Sequence, residues 1–410
     1  MNLFSLVWSY IKVRPLNTIL NIVLLGLGIA MITILLLFNN QLKEKISTNA
    51  KGIDLVVGAK GSPLQLILCN IFMIDFPTGN IKLAEAEKVA RHSMVKKAIP
   101  LALGDSFAGY RIVGTGHDYI GLFKGEIAGG NWWKKDMEVV IGSTVARLTG
   151  LKIGDTFASA HGLTAGGQDH KEKVYKVTGI LAPSHTVLDN LILTNIESIW
   201  KMHEHEDVVD HPPVHPSSLV AGAEAGDSTK EITSLLIQYR NPLAVIQLPR
   251  FVNMNSSLQA ASPAFETARL FSILGIGVEV LQGFAFVLIV ISGLSIFIAL
   301  YNSLNERRYD LAIMRSMGAS RSKLLVSVLL EGTFLTTCGS LFGLLLGHTV
   351  LWIFIQMTLE SQKAGLSATV FYTSELFILA GSVLLGFVCS LTPAVRASLT
   401  DIHMILSDKG

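Results

Sequence analysis

The sequence predicts an integral membrane α-helical protein with four transmembrane helices. It places a large α+β extracytoplasmic domain between helices 1 and 2. Three observations lead there. Half of the 410 residues are hydrophobic and only 16% are charged, against about 25% in an ordinary soluble domain. Four apolar runs, 18–38, 278–301, 324–357 and 375–393, match or come close to the roughly 20 residues a helix needs to cross a bilayer. Residues 39–272, between the first two runs, have the mixed composition of a folded soluble domain.

The first run follows Lys12 and Arg14, as a signal peptide would. Its apolar stretch is too long for one, and "NNQLKEK" follows without a small-x-small cleavage site. It reads as a retained anchor. Residues 1–17 read either as an interfacial helix or as an ordinary cytoplasmic lead-in. Leu3, Leu6, Val7, Tyr10 and Ile11 share one face, and Trp8 suits a headgroup boundary.

Orientation follows from basic residues near span ends, which stay in the cytoplasm. Residues 302–323 carry Arg307, Arg308, Arg315, Arg321 and Lys323. The N-terminus adds Lys12 and Arg14, and the tail 394–410 adds Arg396 and Lys409. Lys43, Lys45, Lys51, Arg269 and, in the short loop 358–374, Lys363 lie on the other side. The balance puts both termini inside and the large domain outside, in the cell inner membrane. A net charge of +2 gives no bulk attraction to nucleic acid. Cys69, Cys338 and Cys389 form no readable disulfide framework, and Cys69 reads as a buried thiol.

Within the outer domain, "LAEAEKVARH" and "GSTVARLTGLKIGD" read as helices, the second with Gly150 near its C-cap. "EVVIG", "DTFASA", "KVYKVTGIL", "NLILT" and "SLLIQYR" read as strands, and "PLAVIQLPRFVN" fits either state. "GAKGSP" lacks the spacing of a phosphate loop and reads as a turn. No catalytic serine, zinc-protease or paired-cysteine motif occurs. The segment 203–216 gathers His203, His205, His211 and His215 with four carboxylates, the ligand types zinc takes. Its prolines keep it extended. Two readings stay open, a solvated polar loop and a loop that captures zinc weakly.

The densest chemistry lies at 302–323. Residues 304–317 can form a short helix, Gly318 a left-handed cap and Ser320 the cap of the next helix. Gly339, Gly343 and Gly347 repeat every fourth residue on the third span, the stripe of a close helix seam in a dimer or within the bundle. Glu331 is an ionisable group on the same span. It needs a partner, and Arg307, Arg308 or a neighbouring hydroxyl could supply one.

Residues 304–347, "LNERRYDLAIMRSMGASRSKLLVSVLLEGTFLTTCGSLFGLLLGH" less its final His, resemble the FtsX/MacB-type permeases of ABC transporters. The match rests on Glu306, Arg307, Arg315, Gly318, Ala319, Ser320, Arg321 and Glu331, and continues through Gly339, Gly343 and Gly347. "VVIGSTVARLTGLKIGDTF" and "YKVTGILAP" look like that family's outer-domain core. "TPAVRASLTDIHMIL" is similar to its tail, with Asp401-Ile402 where the family has Asp-Pro.

The resemblance implies a membrane subunit that is not itself an enzyme and binds no cofactor directly. ATP and Mg²⁺ would sit in a separate ABC ATPase subunit. That subunit would grip Glu306, Arg307, Arg308, Arg315, Gly318, Ala319, Ser320 and Arg321. The resemblance also implies a homodimer or pseudo-symmetric pair, and a periplasmic binding or effector protein. Lipoproteins, peptides and zinc-linked cargo are the substrate classes it suggests. "GIDLVVGAKGSPLQLILCNIF" looks similar to a subgroup tied to periplasmic zinc handling. Two rivals stand beside it: an ATPase-driven regulator of a cell-wall hydrolase, and a membrane-anchored metal sensor.

Overall fold

The computed structural model describes residues 15–160, 169–203, 230–358 and 366–399. It divides into two compact units: residues up to Leu42 with those from Leu274 on, and Lys43–Ile273.

The first unit is helical. Its elements are α1 (Pro15–Ala50), α2 (Pro263–Glu306), α3 (Arg308–Ser316), α4 (Arg321–Met357) and α5 (Thr373–Ser398). Four of them are long and apolar enough to cross a membrane. All four outrun the apolar runs that announce them. The 44 residues of α2 extend about 66 Å at the helical rise, twice the roughly 30 Å hydrocarbon core. Lipid solubility ends a span at the first polar turn, but helical hydrogen bonding continues wherever good helix formers follow. In α1 that continuation is "NNQLKEKISTNA". Large apolar side chains such as Leu20, Phe284, Leu345, Phe354, Phe377 and Leu384 point outward, as lipid-facing positions must.

Small residues bring the helices together. A Cβ added at Gly343 would stand 2.7 Å from the Gly26 carbonyl and 2.8 Å from Ile29 Cβ of α1. One at Gly339 would meet Leu25 at 2.9 Å, and one at Gly347 would meet Thr33 at 3.0 Å. The stripe is therefore a seam within this chain, between α4 and α1. A second seam joins α4 to α5. There a Cβ at Gly332 would lie 2.6 Å from Ser390 Cβ, and one at Gly386 2.1 Å from Thr336 Oγ1. Ser295 of α2 donates to Asn21 of α1 at 2.6 Å, satisfying a polar pair inside the bundle.

The second unit is built on a ten-stranded sheet. Its strands are β1 (Leu55–Ala59), β3 (Val95–Phe107), β4 (Tyr110–Thr115), β5 (Ile127–Gly130), β6 (Glu138–Ile141), β7 (Thr156–Ala160), β8 (Asp169–Leu181), β9 (Leu191–Thr194), β11 (Ser234–Tyr239) and β12 (Leu258–Ala261). The order is β12-β1-β11-β3-β4-β9-β6-β8-β5, with β7 pairing both β3 and β8. β2 (Ile81–Lys82) and β10 (Glu231–Ile232) form a separate short ribbon. β4–β9 and β6–β8 run parallel, and the other pairs are antiparallel. β3 and β4 form a hairpin over Ala108 and Gly109, whose φ values of 50° and 76° suit a tight turn. Separate apolar clusters cover the sheet, among them Leu66, Ile67, Tyr119 and Leu188 in one, and Leu55, Ile237, Leu248 and Val252 in another.

The five strands read from the sequence, β6, β7, β8, β9 and β11, and the helix Leu83–Ala90 fall where the sequence puts them, and that reading does not reach β1, β4, β5 and β12. Ser143–Thr149 closes on Gly150 at φ 74°. "PLAVIQLPRFVN" resolves as the helix Ala244–Asn255 despite Pro249. Ala244, Leu248 and Val252 bury one face every fourth residue, and that packing outweighs the hydrogen bond lost at proline. The longest early strand, β3, carries no clear strand signal because Lys96, Lys97, Pro100 and Gly104 interrupt its alternation. "GAKGSP" ends β1 and starts a helix, with Ser62 capping Pro63–Asn70.

The seam gives a direct test. Gly343→Leu should destabilise the chain by about 1–3 kcal/mol or more, because backbone stands where the side chain must go. Gly381→Leu on α5 meets nothing within 4 Å and should be neutral. Thermal unfolding of both variants in detergent checks this, and equal midpoints would place Gly343 away from any seam.

Candidate coupling site

The site begins where α2 ends at Glu306. Arg307 breaks the helix at φ −90°, ψ 8°, and α3 starts at the next residue. The short helix is therefore Arg308–Ser316, later than 304–317, because α2 keeps the first residues of that stretch.

α3 is amphipathic and is anchored by its apolar side. Leu311 and Ala312 are buried, and Leu311 packs with Leu324 and Val328 of α4 and Ala394 and Ala397 of α5. The helix closes in a two-bond corner. Ala319 N–H donates to Met314 O and Gly318 N–H to Arg315 O, both at 3.0 Å. This is the pattern of a left-handed glycine cap, and Gly318 has φ 99°. Ser320 Oγ then accepts from Lys323 N–H at 3.4 Å and starts α4. A Cβ at Gly318 would meet nothing within 4 Å, so only the backbone angle demands glycine there.

The corner is tied to the bundle by charge. Arg307 Nη1 stands 3.5 Å from Glu331 Oε2, and the two side chains are only 14% and 11% exposed. That separation makes an ion pair rather than a short hydrogen bond. Arg396 of α5 bonds the Tyr301 hydroxyl of α2 and lies 4.7 Å over its ring.

The sequence-predicted residues thus divide. Arg307 and Glu331 meet each other. Gly318 and Ser320 shape the corner, with Ala319 between them. Glu306 and Arg321 are exposed, and Arg315 is half-buried. The side chain of Arg308 lies outside the described structure. Gly339, Gly343 and Gly347 lie on the α1 seam, away from the corner. His203 ends the helix Ile196–His203, with its side chain outside the description. His205, His211 and His215 lie outside the described residues. Among the described residues no three His, Cys, Asp or Glu side chains gather as a metal site. Cys69 is buried as expected, with Arg111 donating to its sulfur at 3.2 Å. Burial pushes the thiol's pKa up, and the guanidinium opposes that shift.

One feature escapes the charge-based reading. Tyr309, Ile313 and Met317 recur every fourth residue on the face of α3 opposite Leu311 and Ala312, and all three are exposed, Met317 at 82%. The signal is present in "RYDLAIMRSM" as a second apolar spacing, offset from the one that anchors the helix.

Residues 283–402 match the model of the FtsX-like permease C-terminal domain, and residues 18–239 match that of the MacB-like periplasmic core domain. The chain belongs to the FtsX/MacB permease family. Its members work with ABC ATPase partners. This FtsX/MacB permease is accordingly a multi-pass membrane protein with a large extracytoplasmic domain. No curated protein matches the sequence. Among solved structures, it is similar to the periplasmic region of MacB from Actinobacillus actinomycetemcomitans. That match has 12% identity and a TM-score of 0.34, and covers 55% of this chain and 97% of that one. It is also similar to the extracellular domain of the noncanonic ABC-type transporter YknZ from Gram-positive bacteria. There the identity is 11% and the TM-score 0.31, with 51% of this chain and 99% of that one covered.

The Arg307–Glu331 pair can be tested by removing one side at a time. Arg307→Ala leaves a carboxylate nearly buried without its cation and should cost about 3–5 kcal/mol. Replacing both, as Arg307→Met with Glu331→Leu, should recover most of that loss. Equal stability of the single variant and the native permease would show that the pair holds nothing.

Proposed function

We propose that this permease docks a separate ATPase subunit on the exposed Tyr309–Ile313–Met317 face of α3, and that ATP-driven movement of the ATPase is passed to the extracytoplasmic domain. ATP and Mg²⁺ belong to the partner. The permease contributes no catalytic group and acts as a lever.

The carrying observation is that exposed stripe on a helix whose opposite face is locked into the bundle. Exposed apolar side chains on a cytoplasmic surface favour burial against protein. The anchoring of Leu311 and the glycine corner stop α3 from sliding, so a push on it is delivered to α2 and α4. Topology alone would explain the basic residues. It would not place an aromatic, an isoleucine and a methionine outward at helical spacing. Arg321, exposed just past the corner, offers a planar donor to carboxylates of the partner. α1 and α2 are the chain's two links to the outer domain, so they are the route by which force leaves the membrane unit. Two copies of the chain, or a copy and a homologue, would present a docking helix to each of two ATPase subunits. Work of this kind needs no path between the helices, and suits handling of lipoproteins, peptides or metal-linked proteins outside.

Ile313→Asp together with Met317→Asp should leave membrane abundance unchanged and lower ATPase co-purification at least tenfold. Gly318→Val should weaken association less, through backbone strain of about 1–3 kcal/mol at a positive φ. Native levels of co-purified ATPase with the double variant would remove the stripe as the docking face.

A further inference from the structure

The outer end of the helical unit holds an ionisable pair that the coupling reading does not use. His348 lies on α4 and Glu375 in the first turn of α5, their side chains 12% and 5% exposed. His348 Nε2 is 3.0 Å from Glu375 Oε2, and its Nδ1 is 2.6 Å from the carbonyl oxygen of Ala368. The imidazole packs on Phe371 with ring centres 4.4 Å apart. The other carboxylate oxygen, Glu375 Oε1, accepts the Tyr372 N–H at 3.1 Å. Residues 366–372 are also held from the far side. Gln41 of α1 donates to Ser367 O and accepts from Ser367 N–H, both at 2.7 Å.

The geometry settles a proton count. A carbonyl oxygen only accepts, so Nδ1 carries hydrogen. A carboxylate oxygen also accepts unless it is protonated, so the Nε2–Oε2 contact needs a hydrogen of its own, on either atom. The pair holds one proton more than a neutral imidazole and a free carboxylate would. Around the imidazole, α5 contributes the Glu375 carboxyl, the 366–372 segment contributes the Ala368 carbonyl, the Phe371 ring and Tyr372, and α1 contributes the uncharged Gln41 to that segment.

We infer that His348 and Glu375 form a single proton-binding site that latches segment 366–372 to the outer ends of α4 and α5. Loss of the proton leaves one imidazole N–H for two acceptors, so a lone pair faces either the Glu375 carboxylate or the Ala368 carbonyl. Two acceptors then repel each other in a nearly dry site, where unpaired polar groups are costly. The tie through Gln41 remains, so the segment loosens on one side while staying attached on the other. The sign follows from the proton: the latch is closed where the proton is held and opens as pH rises. Ionisable groups inside a membrane helix are rare and costly, and this pair lies next to the loop it secures.

Hydrogen exchange of the amides at 367–372 in nanodiscs, expressed as protection relative to the unstructured chain at each pH, reads the latch directly. Ser367 and Tyr372 N–H groups are both bonded within it. Between about pH 5.5 and about pH 8.5, native protection should fall at least fivefold. Glu375→Gln should remove that dependence. Its amide N–H₂ can donate to neutral Nε2 while its carbonyl still accepts from Tyr372, so no captured proton is needed. His348→Leu should show weak protection at every pH. Constant native protection overturns the proposal by itself, even if a variant fails to insert. So does an unchanged pH dependence in Glu375→Gln, or native-like protection in His348→Leu.

Discussion

Two backbones pass so closely at Gly343 that a single added carbon would stand 2.7 Å from the carbonyl oxygen of Gly26. Lipid offers no hydrophobic drive between apolar helices, so close contact and satisfied polar pairs must hold them together. α4 meets that demand on two sides, with Gly339, Gly343 and Gly347 against α1 and with Gly332 and Thr336 against Gly386 and Ser390 of α5. A helix fixed along two seams has both of its ends fixed. Its inner end carries the Ser320 cap and Glu331, and its outer end carries His348. The coupling corner and the outer latch are both consequences of where α4 is held.

The coupling corner is stiff for reasons that can be itemised in bonds. The glycine cap removes slack after α3, Leu311 and Ala312 bind its inner face to α4 and α5, and Arg307 reaches back to Glu331. This division of labour changes the meaning of the basic cluster. Arg307 serves the bundle internally. The outward surface is formed by Tyr309, Ile313 and Met317, with the exposed Arg321 just past the corner. A short helix that is apolar on two faces, one inward and one outward, is what a lever pressed by a partner requires.

Much of this was legible in the sequence, and the failures have physical causes. The four helices follow from apolar length, but their true ends do not, because helical hydrogen bonding continues past the lipid boundary. Gly318 and Ser320 could be read as caps because cap chemistry is local. The glycine stripe announced a seam, but spacing along one helix cannot say which helix comes to it, so the pairing with α1 and the second seam at Gly332 and Gly386 needed three dimensions. β3 was missed since lysines, a proline and a glycine broke its alternation, and its place is set by pairing with β11 and β4. The exposed stripe on α3 was hidden by charge, which dominates the composition of that segment and drew the reading toward arginine. His348 and Glu375 are 27 residues apart, and nothing local connects them.

The central claim is that the ATPase sits on the outward apolar face of α3, and a photoreactive amino acid placed at Met317 tests it most directly. Irradiation of membranes containing the cognate ATPase should join the two chains from position 317, while the same probe at Phe377, an exposed residue on the lipid-facing side of α5, should not capture the ATPase. An ATPase that co-purifies with the probe-bearing permease yet is never captured from position 317 would contradict the claim.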